Sequence, residues 1–535
     1  MGKRVDYKTV KSIDTVQMKK LPIGIQTFSE LVDPEENYVY IDKTEVLHTL
    51  VTEGKYYFLS RPRRFGKSVM LSTLYELFRG SKKLFEGLYV EDKWDWNKKH
   101  PVIRISFGGG DFSSEQRFDE TIFDNLNSNM RRLNLSCEDA PGKPNSCFRE
   151  LIETACRQYK QKTVILIDEY DKPILDHITD KNIARANRDK LKGFYSIIKD
   201  MDEYIRFVMI TGVSKFAKMN LFSGLNNLMD ITINVHYATI CGYTDPEVEH
   251  AFDDRLQDVD MGKLKEWYNG YNYFGEPVYN PFDILLFFAN GKEYRPYWWS
   301  TGNPSFLIDL LREQHRYLPD LENYIADDFI LDTFDVDHID LVALLWQTGY
   351  LTFAEKFNKR DKLLYRLKVP NKEIQLSLNE LFIDYLTDQR HDKRLVQDKL
   401  YDSLEDGDLE IFQQTLQRLF SSIPYHNYAN KIIQNYEGYY ASVVYAYLAS
   451  LGFQLIAEDT TNKGRVDMTI LLENKVYVIE FKVDQPGKAL EQIIGKGYHE
   501  KYLGDKYEVY IIGISFESES KNITDFEWKR VGMVK

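Results

Sequence analysis

The sequence predicts an α/β protein of several units: a parallel sheet, then a helical middle region, then a second, smaller α/β unit. Three observations predict it. Four short, continuous apolar runs, KYYFLS (55–60), PVIRISF (101–107), TVILIDEY (163–170) and RFVMITGVS (206–214), lie tens of residues apart. That is the pattern of strands buried on both faces of a parallel sheet. Helical periodicity dominates from about 305 to 425, as in IDLVALLWQTGYLTF and LEIFQQTLQRLF. The residues after 425 change character again, to one strong helix, three strand candidates, a helix and a last strand.

A chain of 535 residues is too long for one core; at about 100–200 residues per domain it divides into three or four units. With 43% hydrophobic and 28% charged residues it has the apolar material for packed cores and no low-complexity tract or internal repeat. The net charge of -13 argues against nucleic acid as a partner, because duplex affinity comes largely from Lys and Arg neutralising phosphates. The charge is uneven, however. Residues 426–535 hold 13 Lys and Arg against 15 Asp and Glu, so the acid lies upstream. Cys137, Cys147, Cys156 and Cys241 match neither zinc nor disulfide spacing, which points to a reducing, cytoplasmic compartment. The start, MGKRVDYKTVKSIDTVQMKK, is polar and lacks both a signal-peptide core and the Ser or Thr that a myristoylation signal needs at position 6. No apolar run approaches the ~18 residues of a membrane span.

The first run leads into FLSRPRRFGKSVML (58–71). The segment SVMLSTLYELF puts Met70, Leu74, Leu77 and Phe78 on one helix face. Strand, turn and helix are the context of a phosphate-binding P-loop, G-x-x-x-x-G-K-[ST]. Gly66, Lys67 and Ser68 complete its second half, with Lys67 to reach the β- and γ-phosphates of ATP and Ser68 to ligate Mg2+. The first glycine is replaced by Arg61, followed by Pro62, so the loop must run differently. Arg61, Arg63 and Arg64 are candidates to offset that loss, since guanidinium forks match phosphate oxygens. A strand-to-helix turn with solvent-facing basic residues is the plainer alternative. The third run ends in Asp168 and Glu169, at the tip of a strand expected beside the P-loop strand. There Asp168 would serve the metal and Glu169 would polarise an attacking water. The fourth run follows with Thr211 or Ser214 as candidates to sense the γ-phosphate.

PIGIQTFSEL, YVYIDKTEVLHTL, FLSRPRRFGKSVML, VILIDEYDKPI, ITGVSKF, ICGYTDPEV, WYNGYNYFGEPVYNPFDIL and YWWSTGNPSFL together resemble the bacterial predicted AAA-ATPase-like proteins. The resemblance covers about residues 20–310. It implies that Arg-Pro-Arg-Arg-Phe-Gly-Lys-Ser is the family's own form of the loop, and it implies ATP as ligand.

A second site falls in GRVDMTILLENKVYVIEFKVD (464–484). In VYVIEFKV, Glu480 and Lys482 share one side of a strand while Tyr477, Ile479 and Phe481 share the other. A hairpin turn around Glu473-Asn474 would bring Asp467 beside Glu480. Two such carboxylates can hold Mg2+ or Mn2+, and an adjacent lysine can orient water or stabilise a pentavalent phosphate. Upstream, in YEGYYASVVYAYLASLGF, Glu437 lies on the face of Tyr440, Val443, Val444, Tyr447, Leu448 and Leu451, and a carboxylate there needs a partner. An ordinary surface pair is the plain reading of Glu-x-Lys by itself. With Asp467 and Glu437 added, helix, strand, strand, strand, helix and strand resemble the PD-(D/E)xK restriction-endonuclease-like superfamily over about 430–520. Val466 stands where the usual Pro would be. The resemblance implies Asp467, Glu480 and Lys482 as catalytic residues, with Glu437 as a further metal ligand, and DNA as substrate. Gln492, Lys496 and Tyr498 stand where related nucleases carry supporting residues.

The ten histidines form no ligand pair, so no zinc is assigned. The aromatics between 267 and 299 suit either base stacking or packing between units, and packing is the reading adopted. The expected division is 1–20 polar tail, 21–300 AAA-ATPase-like P-loop domain, 301–425 helical lid, and 426–535 PD-(D/E)xK nuclease-like domain. The expected function is an ATPase coupled to a metal-dependent nuclease acting on DNA. The alternative is a nucleotide-switched protein whose inactive nuclease fold binds nucleic acid or protein, and a homo-oligomer stays open.

Overall fold

The structure, a computed structural model, describes residues 18–137, 143–215, 222, 225–301, 324–332, 334–335, 338–387, 393–423, 437–504 and 506–532. Most of the expected polar tail lies outside them.

The four apolar runs form strands β1 (Tyr56–Ser60), β2 (Val102–Ser106), β3 (Thr163–Asp168) and β4 (Ile205–Gly212), joined by the short β5 (Met229–Asp230). Every pairing is parallel, in the order β2-β3-β4-β1-β5. Alternate residues sort to the two faces. Leu59, Val164, Leu166, Phe207 and Met209 join the core around α1 (Lys67–Arg79). Phe58, Ile103, Ile105, Ile165, Ile167, Val208 and Ile210 pack with α2 (Glu115–Leu133), α3 (Pro144–Tyr159) and α4 (Lys181–Asp200). Burial on both faces is why these runs are continuously apolar. The edge strand β2 is closed by side-chain amides of α2: Asn129 exchanges hydrogen bonds with the Arg104 backbone at 2.8 and 2.6 Å, and Asn125 accepts from Ser106 N at 3.0 Å.

Two expectations are corrected here. The strand carrying Asp168 is not adjacent to the P-loop strand, because β4 lies between them. Cys137 and Cys147 are disulfide-bonded, with Cα atoms 5.5 Å apart. The pairing joins the residues after α2 to the first turn of α3, which spacing alone does not reveal.

The middle region is mixed. Helix α5 (Pro281–Ala289) closes the first unit; beyond it, helices α6 (Leu341–Thr348), α7 (Lys372–Thr387), α8 (Lys393–Asp406) and α9 (Leu409–Ser422) are joined by strands β6 (Ile325–Asp327), β7 (Phe334–Asp335), β8 (His338–Ile339), β9 (Thr352–Lys359) and β10 (Lys362–Lys368). β6, β10 and β9 form an antiparallel sheet set among the expected helices, a sheet that the helical periodicity did not reveal. IDLVALLWQTGYLTF begins as helix but stops at Gly349, whose φ of +94° ends α6. The hairpin after it turns on Arg360 and Asp361, both at positive φ.

The C-terminal unit runs α10 (Glu437–Ser450), β11 (Gln454–Thr461), β12 (Gly464–Leu471), β13 (Lys475–Val483), α11 (Lys488–Lys496), β14 (Glu508–Glu517) and β15 (Asn522–Arg530). Its sheet follows chain order, antiparallel except for β13 and β14, whose parallel pairing needs the α11 crossover. β15 is one strand more than expected; it pairs antiparallel with β14 as a hairpin.

Candidate active sites

The first site is built at the carboxyl ends of β1, β3 and β4. Gly66, at φ +89°, makes the left-handed turn that starts α1, and Arg64 is also at positive φ, +68°. Lys67 is buried, its ammonium donating to the carbonyls of Arg61 at 2.7 Å and Pro62 at 2.8 Å. Burial lowers its pKa, against the opposing pull of Asp168. Ser68 Oγ donates to Asp168 at 2.6 Å, and Thr211 Oγ1 donates to the other carboxylate oxygen at 2.7 Å. The intervening strand β4 therefore carries Thr211 to Asp168. Glu169 follows at φ +52° and lines the same cavity; burial raises its pKa, and neighbouring Asp168 adds to the rise. The cavity, about 450 Å3, is lined by Arg63, Arg64, Gly66, Lys67, Ser68 and Glu169, and on its far side by Tyr40, Lys43 and Phe282.

Arg61 is the residue that sequence reasoning misplaced. It is wholly buried and points away from the cavity, donating to the carbonyls of Ser60 (2.9 Å), Thr232 (2.7 Å) and Tyr237 (3.4 Å), with Tyr273 3.5 Å from its guanidinium carbon. It braces the loop from behind and offers no donor to a phosphate. Ser214 is likewise engaged elsewhere: its N–H and hydroxyl both donate to Asp171 at 2.5 Å. Asp171, buried beside the cavity and absent from the sequence reading, also accepts from Val213 N at 3.0 Å. Its place in IDEYD, three residues past Asp168, is the signal that could have found it. The end of the first unit and the middle region both reach this loop. Trp298 Nε1 donates to Arg63 O at 3.0 Å, and a Cβ on Gly349 would lie 2.6 Å from Pro62 Cγ. The aromatics near 268–298 are buried packing, as expected.

The second site lies where the β12–β13 hairpin opens. The Met468–Ile479 pair ends the ladder between β12 and β13, and beyond it side chains take over from backbone. Phe481 N donates to Asp467 Oδ2 at 2.7 Å, and Asp467 N donates to Glu480 Oε2 at 3.3 Å. Lys482 Nζ donates to Glu480 at 3.0 Å, to Phe481 O at 2.7 Å and to Glu437 at 3.4 Å. Gln492 Nε2 closes onto the same Glu480 oxygen as Lys482. Asp467, Glu480, Lys482, Glu437 and Gln492 therefore converge. Lys496 is exposed, and Tyr498 is buried against Gly464, where a Cβ would meet its hydroxyl at 2.9 Å.

Burial pushes Asp467 up to about 6; it pushes Glu480, with Asp467 beside it, up to about 7. Burial alone would lower Lys482, but Glu480 and Glu437 outweigh it and the net shift is upward. Two buried carboxylates that resist ionising side by side form a donor set that a divalent cation would satisfy, so the residues fit Mg2+ or Mn2+. Among the described residues no group of three or more His, Cys, Asp or Glu is placed to hold a metal ion; Glu437 instead reaches this site through Lys482.

Residues 22–222 match the predicted AAA-ATPase family, and residues 435–526 match the PD-(D/E)XK nuclease superfamily. Along its length the chain is 45% identical to an uncharacterized protein in the vnfD 5' region of Azotobacter chroococcum mcd 1, over 518 residues that make up 96% of this chain and 99% of that one. The chain belongs to the predicted AAA-ATPase family. It joins an AAA-ATPase-like unit to a PD-(D/E)XK nuclease-like unit, and among the described residues no helix is long and apolar enough to cross a membrane.

Proposed function

We propose that this protein binds and hydrolyses ATP and is coupled to a metal-dependent nuclease that cuts DNA. The observation that carries the nuclease reading is the convergence of Asp467, Glu480 and Lys482 at the open end of one hairpin, with the two acids held above their ordinary pKa range.

At the first site, Ser68 and Asp168 would hold Mg2+, which neutralises phosphate charge when bound. Lys67 spends its ammonium on two loop carbonyls, and the β- and γ-phosphates would replace them. Arg63 and Arg64 line the approach. Glu169, whose raised pKa comes from burial, accepts a proton from the attacking water. Thr211 holds Asp168 in place.

At the second site Asp467 and Glu480 would hold Mg2+ or Mn2+, which acts as a Lewis acid at the phosphate when bound. Lys482 supplies positive charge beside the scissile group, where charge builds in the transition state. Glu437 and Gln492 fix the lysine and Glu480 in position.

The units divide as 21–300, 301–425 and 426–535, and the cytoplasm is the compartment where ATP and DNA are both at hand. The test is ATP hydrolysis and plasmid nicking measured in one preparation, with Mg2+ or Mn2+, on wild type and Lys67→Ala. Loss of both activities in the variant supports coupling. Nicking that persists without hydrolysis shows two independent units, and hydrolysis without any nicking favours a nucleotide-switched binding protein.

A further inference from the structure

The acidic balance of the chain leaves open how it holds a polyanion, and a cluster outside both sites answers it. Tyr75, buried in the second half of α1, is approached by three guanidinium groups, those of Arg79 at 4.9 Å, Arg104 at 4.8 Å and Arg132 at 5.0 Å from its ring centroid. They come from three elements: the last turn of α1, the edge strand β2 and the end of α2. All three residues are exposed, and Arg131 is exposed beside them.

Three cations gathered within about a Debye length of one another repel. The ring faces recover part of that cost through cation–π attraction. Glu76 is the acid at hand, and it is engaged by Arg79 at 3.5 Å and by the Ser81 hydroxyl at 2.6 Å. Among the described residues no ion pair within 4.0 Å reaches Arg104 or Arg132. Arg132 donates instead to Val102 O at 3.0 Å and to Asn129, which fix its direction. Partial burial, with Arg104 and Arg79 close by, lowers its pKa. In a chain of net charge -13, three exposed arginines gathered around one ring, with Glu76 the carboxylate they share, concentrate positive charge suited to an external anion with several oxygens. Successive phosphates along a nucleic-acid strand present charges at close intervals, and the guanidinium fork suits their oxygens.

We propose that Arg79, Arg104 and Arg132, arrayed around Tyr75, form a phosphate-binding site through which the ATPase unit grips nucleic acid. The choice of nucleic acid over another polyanion rests on the nuclease reading above. The site shares α1 with Lys67. Tyr75 lies eight residues further along that helix, about 12 Å at 1.5 Å per residue, so the grip and the ATP site sit on one rigid element.

The test uses the full chain in EDTA, so that nothing is cut, with fluorescence anisotropy of a labelled 30-base single strand and the matching duplex. The variants are Arg104→Gln, Arg104→Glu and the triple Arg79→Gln, Arg104→Gln, Arg132→Gln. Arg104→Gln should weaken binding about five- to tenfold at low salt and reduce the slope of log affinity against log salt by about 1. Arg104→Glu should weaken it further, and the triple variant by about 100-fold. Because Arg104 is an exposed strand residue, its single variants keep the test valid if the triple variant misfolds. Wild-type affinity and salt slope in both Arg104 variants would overturn the proposal. So would a poly-glutamate peptide whose binding, unlike that of nucleic acid, depends on Arg104. If wild type binds through these arginines but cuts nothing with Mn2+, the proposal stands and the nuclease reading fails; if it cuts and the arginines do not matter, the reverse holds.

Discussion

Replacing Glu373 by Gln should stabilise the protein in neutral and alkaline solution far more than in acid. Glu373 and Asp283 are wholly buried against each other where α7 meets α5. Glu373 accepts from Trp298 N at 2.8 Å and Trp299 N at 3.3 Å, and Trp298 in turn holds the phosphate loop at Arg63 O. Burial pushes Glu373 from 4.5 up to about 7, and burial together with Glu373 pushes Asp283 well above its ordinary range. A carboxyl whose folded pKa is raised contributes stability below its unfolded pKa and loses it as pH rises through the folded value. For Glu373 that window runs from about 4.5 to about 7. Between pH 5 and pH 8 the loss is roughly 2–3 kcal/mol. A glutamine keeps an oxygen for the two Trp N–H groups and offers N–H to Asp283 without ionising. Urea unfolding followed by tryptophan fluorescence at both pH values is the assay. The variant's advantage over wild type should grow by roughly 2–3 kcal/mol from pH 5 to pH 8. Parallel pH profiles for the two proteins would refute the reasoning.

Other expectations follow from the two sites. Glu169→Gln should keep ATP binding, measured by displacement of a fluorescent analogue, and lose about 100- to 10,000-fold in hydrolysis; Lys67→Ala should lose the binding itself. Arg61→Ala should cost roughly 2–4 kcal/mol in urea unfolding, because three buried carbonyls lose their donor and a cavity opens against Tyr273; unchanged stability with weakened ATP binding would put Arg61 back at the phosphates. Lys482→Ala should lower cutting at least 100-fold while nucleic-acid affinity in EDTA holds. In the metal-free protein at pH 8, adding Mn2+ should raise the thermal midpoint of wild type and leave that of Glu480→Ala where it was.

The parts legible in the sequence were those fixed by local periodicity. Continuous apolar runs gave the four strands because parallel strands are buried on both faces. The two-residue period placed Glu480 and Lys482 together, and a short hairpin placed Asp467 beside them, since the contacts span no more than fifteen residues. What failed depends on long-range geometry. Position beside Gly66-Lys67-Ser68 says nothing of where Arg61 points, and its partners Thr232 and Tyr237 are more than 170 residues away. Strand order is similarly hidden, so that β4 came between Asp168 and the P-loop strand without notice. IDLVALLWQTGYLTF carries enough apolar residues to read as one helix, yet Gly349 ends it and a hairpin follows. The Asp283–Glu373 pair and the arginines around Tyr75 each join residues from separate elements, and no window of sequence holds them.

The most direct test is to incubate the protein with supercoiled and linear DNA, Mg2+ or Mn2+, with and without ATP, beside Glu480→Ala. The account predicts metal-dependent cutting that ATP enhances and that Glu480→Ala abolishes. Cutting that survives the substitution, or ATP hydrolysis with no cutting under any condition, would contradict it.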